Sequence, residues 1–216
     1  LPEAGRTILM QRVDLLLVEL GLAPSRTAAQ NLIDAGRVKL DGKVIAKPSL
    51  KLESTAPISV EADPADRFVS RGGLKLAGAL AKSGLHVTGL QALDVGISTG
   101  GFTDCLLQAG ARRVIGVEVG HDQLHPRLLA DPRVVQFEGI NARHLTPELI
   151  APALEGPLDL IVGDVSFISL TLTLPPLVPL LQPGGHLLHL VKPQFEVGRA
   201  GIGRGGLVKD PALYAD

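Results

Sequence analysis

Aromatic side chains are scarce in this chain: five Phe, one Tyr and no Trp among 216 residues. That scarcity argues against a protein that stacks single-stranded bases on an aromatic sheet. A single cysteine, Cys105, excludes an intramolecular disulfide framework and fits a reducing compartment. It falls in an expected helix, where it reads as a small buried hydrophobe rather than a nucleophile. No apolar run approaches the ~18 residues a membrane span needs. No basic segment followed by an apolar core opens the chain, so no secretory signal is expected and the chain reads as cytoplasmic. Met10 is the only methionine, which makes residues 1–9 read as upstream sequence.

What is present is enough for a full core: 45% hydrophobic residues, with 25 Gly and 16 Pro as punctuation. One large domain plus a small one is the natural expectation at this length. The net charge is −1, but residues 1–90 carry 12 Lys/Arg against 9 Asp/Glu and residues 91–216 carry 9 against 13. A basic front and an acidic back point to a nucleic-acid-facing module at the front.

From Arg12, the spacing of Val13, Leu16, Leu17 and Leu20 predicts an apolar helix face. Ser25 is a good N-cap for a second helix with Ala28, Ala29, Leu32 and Ile33 inside, ended by Gly36. Arg37–Leu40 alternates like a strand, Asp41-Gly42 is a strong hairpin turn, Lys43–Ile45 returns, and 57–61 adds a third strand. Arg26, Arg37, Lys39, Lys43, Lys47 and Lys51 make this module basic. Arg37 and Lys39, at alternate positions, share one strand face suited to tracking phosphates; the alternative is a solvated strand face. Residues 62–66 carry proline and no apolar period, and read as a linker.

The second half turns on Leu93-Asp-Val-Gly-Ile-Ser-Thr-Gly-Gly101, a strand running through a tight turn into a helix. Backbone N–H groups at such a helix start face an incoming ligand. Glycine spacing differs from the dinucleotide fingerprint, which disfavours a nicotinamide dehydrogenase. Asp94 inside the motif suits a positively charged ligand, and S-adenosylmethionine carries an ammonium and a sulfonium. Beyond the turn, strands are expected at 90–95, 113–119, 133–138, 158–163 and 185–191. Helices are expected between them at 101–110, 121–130, 146–154 and 169–182, the last interrupted by proline. Apolar strand runs such as Ile115–Val117 and Leu187–Val191 require a sheet covered on both faces. Alternating strand and helix predicts a doubly wound parallel sheet with ligands outside the carboxyl ends of its strands. That rule singles out Asp94, Glu118, Asn141, Asp164 and Lys192. Glu118, 24 residues after Asp94, is placed to accept both ribose hydroxyls of an adenosine ligand. Asp164 and Lys192 would face each other at adjacent strand ends, as a proton-handling pair or as a structural ion pair. Histidine spacing beyond His121/His125 offers no metal site.

Two resemblances rest on these residues. Arg12-Val-Asp-Leu, Ser25-Arg26, Ile33-Asp-Ala-Gly36-Arg-Val and Asp41-Gly42 resemble the ribosomal-protein-S-four-type RNA-binding module, over roughly residues 10–61. Ser70-Arg-Gly-Gly-Leu-Lys-Leu76, the glycine turn through Asp104, Asp164-Val-Ser-Phe-Ile-Ser-Leu170 and Val191-Lys-Pro-Gln-Phe-Glu196 resemble the FtsJ-like methyltransferases. The combination is similar to the TlyA family of ribose 2′-O-methyltransferases of rRNA, often labelled haemolysin A. The resemblance implies an α/β fold: a Rossmann-like, doubly wound, mostly parallel methyltransferase sheet, preceded by a small α+β RNA-binding module. The expected domains are 10–61, a linker at 62–69, and 70–216.

It also implies a Lys-Asp-Lys-Glu catalytic tetrad whose first three members match Lys75, Asp164 and Lys192. S-adenosylmethionine would contact Asp94, Gly96, Ser98, Thr99, Gly100, Gly101, Phe102, Glu118 and Asn141. RNA would contact Arg12, Arg26, Arg37, Lys39, Lys43 and Lys47. The implied substrate is a cytidine ribose of 16S or 23S rRNA in ribosomal subunits, with no membrane partner. The family's glutamate and last two strands are expected past Asp216, so residues 70–216 read as a C-terminally truncated domain, with Pro211–Asp216 opening a further element. Ile97 replaces the family's usual alanine. An inert RNA- or ribosome-binding protein remains the alternative, and a membrane-lytic protein is disfavoured for want of a cationic amphipathic helix.

Overall fold

The computed structural model describes residues 10–214; the upstream stretch 1–9 and the last two residues of the expected terminal element lie outside the described residues. The chain divides into two compact units, Leu1–Pro64 and Ala65–Asp216.

In the first unit, strand β1 (Met10–Arg12) leads into helix α1 (Val13–Glu19) and, after a turn, α2 (Arg26–Asp34). Ser25 caps α2 by accepting from the Ala28 N–H at 3.2 Å, and Gly36 (φ +71) leaves it. Strands β2 (Val38–Leu40) and β3 (Lys43–Val44) form the hairpin predicted by Asp41-Gly42. Both turn residues take positive φ, 47° and 78°, the requirement of the tight turn matching strand twist. A short β4 (Lys51–Glu53) pairs with β1, and β5 (Ile58–Val60) with β2. The β1–β4 ladder had no alternating pattern to announce it. Val13, Leu17, Ala29, Ile33 and Val38 form the core. Leu20, expected inside, is 45% exposed because α1 ends at Glu19.

The second unit begins with α3 (Gly72–Ser83), followed by β6 (Gln91–Val95), α4 (Gly101–Gln108), β7 (Arg113–Val117), α5 (Pro126–Leu129) and β8 (Val134–Phe137). Then come α6 (Pro147–Ile150), β9 (Leu160–Gly163), α7 (Leu170–Leu177), β10 (His186–His189) and α8 (Pro193–Glu196). All sheet pairings are parallel, in the order β10-β9-β6-β7-β8. The direction of strand addition reverses between β6 and β9, and ligands of such sheets bind at that switch point. Two apolar layers cover the sheet, one around Leu76, Leu106 and Val114, the other around Leu93, Ile115 and Leu177.

The helix expected over 121–130 shrinks to Pro126–Leu129. Asp122 takes φ +56, and Pro126, with no N–H to donate, suits the first position of a helix rather than its interior. In α7, by contrast, Pro175 and Pro176 are accommodated inside the helix, which tightens to a 3-10 turn at 178–180.

Candidate functional site

The site is built where β6, β9 and β10 end. After β6 the chain turns through Gly96 (φ +79), Ser98 (φ +48) and Gly100 (φ +94) before α4 starts. At Gly100 a Cβ would overlap the Leu128 and Leu124 side chains, and the positive φ would strain any other residue. Two cavities meet over this turn. The larger, about 970 Å³, is walled by Gly96, Ser98, Glu118, Asn141, Asp164 and Ser166 among others. The smaller, about 280 Å³, is walled by Gly96, Ser98, Thr99, Gly101, Phe102 and the three residues Lys75, Asp164 and Lys192.

Glu118, just past β7, is pinned by backbone donors: Ser98 N–H at 2.9 Å and Gly120 N–H at 3.0 Å. Asn141 caps a short turn by accepting from Arg143 N–H at 3.0 Å. Asp94 lies elsewhere than expected. One residue before the end of β6, it is 1% exposed, points to α4, and accepts from the Thr103 hydroxyl at 2.7 Å. It walls neither cavity; strand alternation turns it beneath the floor. Gly100 likewise packs under the turn rather than lining it. Burial pushes the Asp94 carboxyl up to about 7, with hydrogen bonds from Thr103 opposing and the charges of Asp164 and Glu118 adding.

Asp164, following β9, stands between two ammonium groups. Lys75 Nζ donates to Oδ2 at 2.9 Å, and Lys192 Nζ lies against Oδ1. Burial pushes this carboxyl up, but the hydrogen bonds and charges of Lys192 and Lys75 outweigh it and hold it below the usual range. Lys75 sits in the first turn of α3, where the helix dipole disfavours a cation; Asp164 offsets that. Two ammonium groups around one carboxylate leave the row net positive. Such a row favours negative charge developing on a substrate oxygen in the adjoining cavity.

Sequence reasoning missed the residues beside this row. Phe167 is 90% exposed at the cavity rim, holds φ +63, and has its ring 5.2 Å from that of Phe195. An exposed aromatic held in a rare conformation is a stacking face for a flat ring. The signal was available, because Phe167 stands three residues after Asp164 in the motif. Glu196 accepts from Ser169 Oγ and Leu170 N–H, at 2.6 and 2.9 Å, and so caps α7.

In the first unit, Arg12 and Arg26 both turn onto the fully buried Asp14, at 2.8 and 3.0 Å. Arg12 chiefly, with Gln30 and Arg26, holds that carboxyl well below the usual range against burial. Arg37 donates to the Glu61 carbonyl and Lys39 pairs with the Glu61 carboxylate at 3.0 Å. Lys43 and Lys47 are exposed. The basic face is thus partly anchored to its own acids. Among the described residues, no group of three or more His, Cys, Asp or Glu could hold a metal ion. No helix among them is long and apolar enough to cross a membrane.

Sheet order, glycine turn and switch-point cavity define a doubly wound α/β fold with a ligand site at its switch point. Residues 68–216 match the family described as FtsJ-like methyltransferase, and residues 11–58 match the S4 domain. The chain therefore belongs to the FtsJ-like methyltransferases, with an S4 domain ahead of the methyltransferase domain. It is 48% identical over 204 residues to the Mycobacterium tuberculosis protein named 16S/23S rRNA (cytidine-2′-O)-methyltransferase TlyA, covering 94% of this chain and 75% of that one. It is 38% identical to Brachyspira hyodysenteriae Hemolysin A, over 94% of this chain and 82% of the relative. A solved structure of a Streptococcus thermophilus protein named a hemolysin superposes with TM-score 0.67 at 41% identity, over 96% of this chain and 74% of that one.

Proposed function

We propose that this chain uses S-adenosylmethionine to methylate a ribose 2′-hydroxyl of rRNA, on a cytidine of 16S or 23S rRNA, in cytoplasmic ribosomal subunits. The observation carrying the proposal is the row Lys75–Asp164–Lys192 where two cavities meet over the glycine turn. The names of its relatives support the rRNA ribose as substrate. The larger cavity, about 970 Å³, is of ligand size, and Glu118 and Asn141 in its wall offer oxygen acceptors to a nucleoside. S-adenosylmethionine, when bound, supplies a methyl group on positively charged sulfur; transfer to the 2′-oxygen releases S-adenosylhomocysteine and a proton.

A ribose hydroxyl is a poor nucleophile, so the chain's task is to orient it and to favour the charge that develops on its oxygen. Lys192 is the group assigned to the 2′-oxygen; it is partly shielded, at 19% side-chain exposure, against 50% for Lys75. Asp164 holds both ammonium groups, and Lys75 adds the second positive charge. Phe167 offers the target base a stacking face at the rim. The first unit, over residues 10–61, docks on RNA through its basic residues, Lys43 and Lys47 foremost. The methyltransferase domain extends over 70–216.

Isothermal titration with S-adenosylmethionine and a methyl-transfer assay on purified subunits test this together. Lys192→Ala should abolish transfer while binding the cofactor as the wild type does. Persistent transfer by that variant would remove Lys192 from the reaction. A folded wild type that takes up no cofactor would leave an inert RNA-binding protein as the reading.

A further inference from the structure

Lys192 is held by two oxygens in different ways. Its Nζ forms an ion pair with Asp164 Oδ1. The other carboxylate oxygen accepts from Lys75. A second oxygen, Ser166 Oγ, accepts a hydrogen bond from Lys192 Nζ at 2.6 Å. A charge pair attracts without fixing a direction, whereas a hydrogen bond weakens steeply as its angle opens. A lysine side chain is long and rich in rotamers, so a second contact from a different direction narrows where Nζ can point. We propose that Ser166 is a positioning residue: its hydroxyl sets the direction in which Lys192 presents its remaining N–H to the cavity. This inference rests on the proposed ribose methylation and deepens it.

The loop is built to hold that hydroxyl still. Ser166 lies between Asp164, tied to both lysines, and Phe167, fixed at φ +63 against Phe195. Two residues on, Ser169 and Leu170 are held by Glu196. One short segment, Lys192–Glu196, therefore grips the 164–170 loop at both ends, and Ser166 stands inside the grip. Ser166 also walls both cavities, at the junction where a transferred group has to pass. The hydroxyl needed here is a hydrogen-bond acceptor of fixed position, which threonine reproduces and alanine lacks.

Two measurements on the full chain decide the matter. In steady-state methyl transfer to ribosomal subunits, Ser166→Ala should lower kcat by about 10–100-fold, the scale of a misplaced reacting group. KM for the subunits and the Kd of S-adenosylmethionine should stay near wild type, and Ser166→Thr should restore most of the rate. A crystal structure of Ser166→Ala reads the orientation without any assay, and should show Lys192 displaced or in several rotamers. A single unchanged Lys192 rotamer in that structure overturns the inference, as does a kcat within about twofold of wild type. Equal loss in the Thr and Ala variants overturns it as well, since it would mark a merely steric requirement. Should the wild type transfer no methyl group, the proposed function fails, while the structure of the variant still decides what orients Lys192.

Discussion

Asp94 imposes a stability cost that can be read from pH. Its carboxyl is buried in β6 with one side-chain hydrogen bond, from Thr103, and burial moves it from 3.8 to about 7. Between those values the ligand-free native protein keeps the proton while the unfolded chain loses it. A carboxyl raised in the native state costs nothing below the unfolded value. Stability then falls as pH rises through the window, and the full cost is reached above about 7. At 1.36 kcal/mol per unit, the shift corresponds to about 4 kcal/mol. Asp94→Asn keeps the shape and the acceptor for Thr103 but cannot ionise. The variant should match the wild type near pH 4 and exceed it by about 4 kcal/mol at pH 8, a gain of roughly 8–16 °C in Tm for a unit of this size. Thermal unfolding followed by circular dichroism across pH 4–8, without ligand, measures the difference directly. A difference that does not change with pH, or a variant less stable at pH 8, would refute the burial argument.

Other perturbations separate the remaining roles. Phe167→Ala should raise KM for subunits by roughly tenfold, since a stacked base is worth about 1–3 kcal/mol; an unchanged KM removes the ring from RNA binding. Lys43→Ala and Lys47→Ala should each reduce the slope of log K against log salt by about one in a filter-binding titration. An unaltered slope would place the phosphate contacts elsewhere on the first unit.

The sheet was legible because its strands are apolar on both faces and alternate with helical segments, which leaves few topologies. The same alternation places Asp164 and Lys192 at neighbouring strand ends. Lys75 was harder to place: a cation in the first turn of a helix has a cost that only the opposing Asp164 explains. Asp94, expected to face a ligand, is buried against Thr103, a partner on the following helix that its place in the motif did not announce. Arg12 and Arg26 looked available to RNA, yet both spend hydrogen bonds on Asp14, an acid near them in sequence whose burial no pattern announced. The helix expected over 121–130 is short because Pro126 suits only its first position. Ser166 carries no local signal; its placement follows from the grip of the 192–196 segment.

The most direct test is nucleoside analysis of ribosomal RNA after incubating purified subunits with the protein and S-adenosylmethionine carrying a labelled methyl group. The account predicts label on the 2′-oxygen of a cytidine, absent when Lys192→Ala replaces the wild type. Label on a base, or none from a folded protein that binds the cofactor, would contradict it.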